Sequence, residues 1–204
     1  MAKLFTGLLI TIILIGSACQ QSTQKDQSAR QDQGAVNAEV KYGGYVSPEK
    51  WGEHLVTISG CNDCHTPKKM TAQGPVLDSS LLLSGHPAQM PPPDVNRKEM
   101  ESKGLSVTNT LTSWVGPWGI SFAANLTPDE TGLGNWTESN FIRALREGKF
   151  KGIENGRPLL PPMPWAMYQK MSDDELKAVF AYLKSIKPVK NVVPPCVIEM
   201  VCPA

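Results

Sequence analysis

The sequence predicts an all-α fold, a helical bundle with long irregular loops. Helix-start chemistry occurs at three places, and apolar residues follow each start at spacings of three and four. No alternating set of strands interrupts them. Residues 66–135 are rich in Gly and Pro and carry little helical periodicity, which marks a long connection rather than further helices.

The chain of 204 residues opens with "MAKLFTGLLITIILIGSAC": one lysine, an apolar run, then small residues before Cys19. That layout predicts a secretory signal peptide over 1–18, since the run is short for a membrane span; an uncleaved anchor is the alternative. "IGSAC" resembles a bacterial lipoprotein cleavage box, with Gly16 where leucine is usual, and that makes Cys19 the lipidation candidate. Ordinary cleavage near Ala18 is the plainer reading. The next residues favour lipid, because "QQSTQKDQSARQDQGAVNAEV" has no aromatic residue and reads as a flexible tether over 19–41. An ordered domain is expected over 42–190 and a tail over 191–204.

"SPEKWGEHLVTISG" predicts the first helix, with Ser47 as N-cap and Pro48 at the first helical position. Trp51, Leu55 and Ile58 give it an apolar face, and Gly60 suits its end. In the long connection, "PPPDV" and "VGPWG" are breakers, and residues 98–103 allow one short helical turn. A connection of this length in a compact domain is usually functional, and here it can wrap a large flat ligand. The second helix opens at Thr137, stapled by Trp136 and Phe141, and stops at Gly148. The third is the clearest: Ser172 and Glu175 form a capping box, Met171 and Leu176 staple the entry, and Leu176, Val179, Phe180, Leu183 and Ile186 form the stripe before Pro188.

Charge excludes one class of partner. Lysine and arginine number 20 against 19 acidic residues; loss of the signal removes Lys3 alone and leaves the two signs balanced. With no basic run, nucleic acid is not an expected partner. Five cysteines are present. Export implies an oxidising compartment, in which Cys196 and Cys202 are expected to close a small disulfide loop; two free thiols are the alternative.

"GCNDCH" places Cys61, Cys64 and His65 together at the end of the first helix. A structural zinc would need a second ligand pair that the chain does not supply at a usual spacing. A redox dithiol would follow a strand, not a helix. Haem uses all three residues: the thiols add across two vinyl groups as thioethers, and the adjacent imidazole coordinates the iron. One motif implies one covalent haem c.

The sixth ligand has several candidates. His54 lies back along the motif's own helix and is expected at the surface. His86 sits in a loop and remains available, while Met70, Met90, Met100 and Met200 lack distinguishing context. Met163 stands in "RPLLPPMPWAMYQKM", where Pro161, Pro162 and Pro164 stiffen the backbone. Met167 is expected in the core and Met171 in the staple, so Met163 is the preferred ligand. Trp118, Asn125 and Trp165 can line a haem crevice or serve packing and turns. Arg157 can neutralise a propionate or stay at the surface.

"GCNDCHTP", "GPWGISFAANLTPDETGLGNWTESNFIRALREGK" and "LPPMPWAMYQKMSDDELKAVFAYLKSIKPV" together resemble the class I c-type cytochromes, and among them bacterial monohaem cytochromes close to subunits of periplasmic dehydrogenases. The resemblance implies a small helical bundle around haem, with the amino-terminal helix crossing the carboxyl-terminal one. It implies Cys61 and Cys64 as covalent attachment points, His65 as proximal and Met163 as distal iron ligand. The expected function is single-electron transfer on the periplasmic side of a bacterial membrane. A lipid anchor and redox donor and acceptor proteins are the expected partners, and no catalytic residue is expected. The alternative is a haem enzyme or gas sensor with an open or displaceable distal site. A stable subunit of an oxidoreductase complex is a third view.

Overall fold

The structure is a computed structural model and describes residues 41–198; the signal, Cys19, the tether before Lys41, Met200 and Cys202 lie outside the described residues. Helix α1, Pro48–Ile58, begins where the sequence places it. The Ser47 hydroxyl accepts from the Lys50 amide at 3.3 Å, using one of the unpaired donors of the first turn. Gly60, at φ 68°, reverses the chain into α2, Cys61–His65, so the cysteine motif is itself one helical turn.

The face that α1 buries matches the expected one at Leu55, with Trp51 packed against the core, and departs from it at Ile58. Gly52, Leu55 and Val56 are buried, whereas Ile58 is 64% exposed. The cause is helix α6, Asp173–Ser185, which crosses α1 at Gly52. A β-carbon on Gly52 would lie 2.0 Å from the Ala178 carbonyl oxygen. The absent side chain lets the two backbones touch, and this contact, not the best spacing of large residues, decides which face turns inward. The result is the crossing of first and last helices that the resemblance implies.

Helix α4, Glu138–Arg146, and α6 both carry capping boxes, Thr137 with Asn140 and Ser172 with Glu175. Leu55, Val56, Leu83, Leu133, Phe141, Ala178, Val179 and Leu183 form the core. Phe141 and Phe180 meet as tilted rings 5.2 Å apart. Arg146 joins three segments by donating to the carbonyls of Gln169 (2.5 Å) and Met171 (2.7 Å) and pairing with Asp173 at 2.6 Å. The short α5, Trp165–Tyr168, leaves Met167 70% exposed, so Met167 is not a core residue.

The long connection holds more regular structure than its Gly and Pro content suggests. Strand β1, Lys68–Thr71, pairs antiparallel with β2, Gly74–Leu77; helix α3, Arg97–Ser102, is capped by Asn96. Strand β3, Ser113–Gly116, pairs with β4, Gly119–Phe122, matching Trp114 to Ser121 and Val115 to Ile120. The described residues thus contain six α-helices and two small hairpins. The fold is mostly helical and compatible with a cytochrome c-like bundle. After α6 the chain returns along the connection. Thr127 Oγ1 accepts from the Val189 amide at 3.1 Å, Asn191 donates to the Ser84 and His86 carbonyls at 2.7 and 2.9 Å, and Val197 bridges Ile120.

Candidate functional site

A cavity of about 850 Å³ lies beside the α1–α6 crossing, toward the upper end of volumes used for ligands (about 300–1,000 Å³). Its wall is mainly apolar, with Leu55, Phe122, Leu133, Phe141, Val179 and Leu183 among the residues that form it. Cys61, Cys64, His65 and Met163 all face this one cavity. Two segments remote in sequence therefore bring two thiols, an imidazole and a thioether to a single space.

His65 is 8% exposed. Its Nδ1 lies 2.8 Å from the Ala124 carbonyl oxygen. A carbonyl can only accept, so Nδ1 carries the proton and Nε2 keeps its lone pair. Burial lowers the imidazole pKa first, and Lys68 lowers it further, against the opposing bond to Ala124; the neutral form that can ligate a metal is favoured. The backbone is tied as well, since the Gly85 amide donates to the His65 carbonyl at 2.8 Å and the His86 amide to Ala123 at 2.9 Å.

Burial pushes the Cys61 thiol up to about 11, and burial also raises Cys64. Both are neutral thiols at neutral pH, unlike thiolates gathered around an ion. Among the described residues, no three His, Cys, Asp or Glu side chains converge as a metal-ion site. Lys68 reaches back from β1 to the Asp63 carbonyl inside the motif. The Tyr168 hydroxyl of α5 donates to Ser59 at 2.7 Å, which ties the segment after Met163 to the end of α1.

The other ligand candidates lie elsewhere. His86 is fully buried, with Nδ1 at 2.9 Å from Thr112 Oγ1 and Nε2 at 2.8 Å from the Met90 carbonyl. Both its nitrogens are engaged away from the cavity wall. His54 is exposed and stacks on Tyr45 at 5.1 Å. Met70 projects from β1 and is exposed, while Met100 lies on α3. Met171, expected in the staple, is part of the cavity wall.

The remaining crevice candidates divide. Asn125 reaches the wall, but its amide is committed: Nδ2 donates to the Val189 carbonyl at 2.8 Å, and Oδ1 accepts from the Thr127 amide at 2.9 Å. Trp165 packs over Gly148, and Trp118 donates to Ser121; neither is a wall residue. Arg157 is at the wall with its guanidinium 3.8 Å above the Phe150 ring. Ala124, Ser121 and the returning residues 192–195 escaped the sequence reading, although all belong to the wall. Nothing in side-chain identity marks a backbone acceptor, and the returning segment has no periodicity to read. Cys196 is half-buried at this wall, and Cys202, its expected partner, lies outside the described residues.

Fold and site define an apolar chamber with a buried imidazole and paired thiols at one helical turn. The chain is similar to cytochrome c subunits of dehydrogenases. It is 30% identical over 142 residues to the cytochrome c subunit of alcohol dehydrogenase (quinone) from Gluconobacter oxydans, covering 69% of this chain and 22% of that protein. It is 39% identical over 75 residues to the gluconate 2-dehydrogenase cytochrome c subunit of Pantoea cypripedii, covering 36% of this chain and 16% of that one. A subunit of the nicotinate dehydrogenase of Pseudomonas putida matches at 39% over 79 residues, 38% of this chain and 6% of that protein. The chain thus spans less than a quarter of each of these relatives. No family model matches it.

Proposed function

We propose that this chain is a monohaem c-type cytochrome that carries single electrons, with haem bonded to Cys61 and Cys64 and iron held by His65 and Met163. The observation that carries the reading is the meeting of these four side chains at one apolar cavity, with His65 held through Nδ1 so that Nε2 is free. The donor set fits haem. Neutral thiols suit thioether formation, an imidazole and a thioether suit low-spin iron, and the apolar wall suits a porphyrin face. When bound, haem supplies a one-electron iron couple. The rest is the work of the chain. Ala124 fixes the plane and tautomer of His65. The core residues exclude water, and the Pro-flanked loop presents Met163 with little conformational freedom to lose.

The names of the relatives, cytochrome c subunits of dehydrogenases, support an electron-transfer role. On that basis the chain takes electrons from one redox protein and passes them to another, as a free carrier or as part of a dehydrogenase complex. The amino-terminal pattern supports export to the periplasmic side, with Cys19 as a lipid anchor and residues 19–41 as its tether. No helix among the described residues is long and apolar enough to cross a membrane. The Cys196–Cys202 disulfide stays part of this proposal and is checked by the mass change on reduction.

The deciding measurement is made on the full chain matured in a haem-competent host. It should carry one haem that survives acidified acetone, and its oxidised spectrum should contain the sulfur-to-iron charge-transfer band. A coloured protein lacking that band would instead support an open or displaceable distal site, as in a haem enzyme or gas sensor. A colourless protein would end the haem reading.

A further inference from the structure

Three of the residues around Met163 are prolines, which have no backbone N–H. The segment 160–164 can therefore donate only through Leu160 and Met163, and the Met163 amide turns inward to the Leu160 carbonyl at 3.3 Å. Beyond Leu160, such a loop can be held from outside through its backbone only by its carbonyl oxygens. Leu159 marks its entry, donating to the Gly148 carbonyl at 2.7 Å. At its centre, the Pro161 carbonyl accepts from the Ser121 hydroxyl at 2.7 Å, across forty residues of sequence.

The direction of this relay is fixed by chemistry. The Trp118 indole can only donate, and it does so to Ser121 Oγ at 3.1 Å. Pro161 can only accept. The serine's single hydrogen is thereby committed to the loop and its oxygen is committed to the indole. Ser121 is buried and Pro161 exposed, so losing the hydroxyl leaves the Pro161 carbonyl to water and the loop without its tie to the β4 strip. Gly116 makes the arrangement possible: a β-carbon there would come within 2.6 Å of the indole that folds over the β3–β4 turn.

Ser121 lies three residues before Ala124, whose carbonyl orients His65. Strand β4 and its extension therefore touch both ligand-bearing segments. Pairing of Ser121 with Trp114, and the Ala123 amide bond to Thr112 at 2.9 Å, hold that strip in place.

We propose that Ser121 is a positioning residue for Met163, its hydroxyl fixing the methionine loop at Pro161 while the same strip fixes His65 at Ala124. The proposal rests on Met163 being the distal ligand. Its consequence is a distal thioether that resists displacement, because leaving the iron means moving a tethered loop.

The test is an imidazole titration of the oxidised, haem-loaded full chain, followed by loss of the sulfur-to-iron band. Ser121→Ala should bind imidazole roughly three- to tenfold more tightly than the parent. Ser121→Thr, which keeps the hydroxyl, should stay within about twofold of it, and Trp118→Phe should fall between, since one supporting bond is lost. Parent-like imidazole affinity in Ser121→Ala overturns the proposal, even if its thermal midpoint drops, because that outcome describes a merely structural serine. Should Ser121→Ala yield no holoprotein, Trp118→Phe decides by the same titration, and parent-like affinity there overturns it. The ligand assignment is tested separately: Met163→Ala must lack the band, and if it keeps the band that assignment fails whatever Ser121 does.

Discussion

Around His65 the chain is helical and tied down at successive residues. After α1 ends at Ile58, Gly60 turns the chain, one further turn carries Cys61, Cys64 and His65, and Gly85 and Ala124 hold the histidine's carbonyl and ring. Around Met163 it is irregular and partly exposed. Its order comes from prolines, from a serine forty residues away and from Tyr168 reaching to Ser59. Both regions face one cavity. They differ in where their information lies, local in the first and distributed in the second. The comparison teaches that the histidine side of the cavity is fixed locally and the methionine side from a distance, so that under the proposed ligation the second should yield first.

The largest effect should come from the histidine side. Removing the imidazole in His65→Ala takes away both the proposed ligand and the bond that Ala124 accepts. The variant should lose the six-coordinate spectrum of the parent and, in maturation, most of its coloured product, read by absorbance and intact mass. A variant with an unchanged reduced spectrum would remove His65 from the site and collapse the contrast. Met163→Ala should do less. Haem should stay attached through Cys61 and Cys64, while the sulfur-to-iron band vanishes and the potential falls, as weak-field thioether ligation is lost. If mass spectrometry shows haem absent from Met163→Ala, the distal loop is as indispensable as the proximal turn.

These expectations separate what is legible in the sequence from what is not. The capping box at Ser172 and the cap at Thr137 are local chemistry, readable because a few adjacent residues suffice. The motif at 61–65 is readable for the same reason. The far end of α1's buried face is not, although Trp51 and Leu55 do pack inward. Spacing favours Ile58, but burial follows the contact with Ala178 that only Gly52 permits. The hairpins escape notice because four-residue strands broken by Gly and Pro offer too little alternation to count. The apolar character of Met167 points to the core, yet α5 is a single turn and one side of it must face water. Ala124 is the most instructive absence, since the group that orients His65 is a carbonyl every residue possesses.

Gly52→Ala probes the crossing that carries the proximal turn. In a free helix this change would stabilise by about 1 kcal/mol through propensity. Here the new carbon would meet the Ala178 carbonyl oxygen at 2.0 Å, and the two backbones must part. Overpacking of this kind costs about 3 kcal/mol, so the contact outweighs propensity and stability should fall by roughly 2 kcal/mol net. Denaturant unfolding of the oxidised protein checks it. The sulfur-to-iron band should be unaltered under native conditions, because the turn proposed to carry haem moves with α1. A stabilised variant would mean that the helices do not cross at Gly52.

The smallest effect sharpens the distal half of the comparison, and it pits one serine against another. Ser172 caps α6, accepting from the Glu175 amide at 3.2 Å while Glu175 accepts from the Ser172 amide at 2.7 Å. It follows Met171, a cavity residue, so on proximity along the chain it has as good a claim to influence the methionine as Ser121. Its bonds, however, satisfy only the first turn of α6, and Arg146 clasps the same entry independently through Gln169, Met171 and Asp173. Ser172→Ala should therefore cost about 1 kcal/mol in unfolding free energy and leave imidazole affinity at the parent value. Ser121→Ala should do the reverse, changing ligand displacement more than global stability. If both serines shift imidazole binding alike, the loop is responding to general loosening of the bundle, and the idea of a dedicated tether at Pro161 is lost.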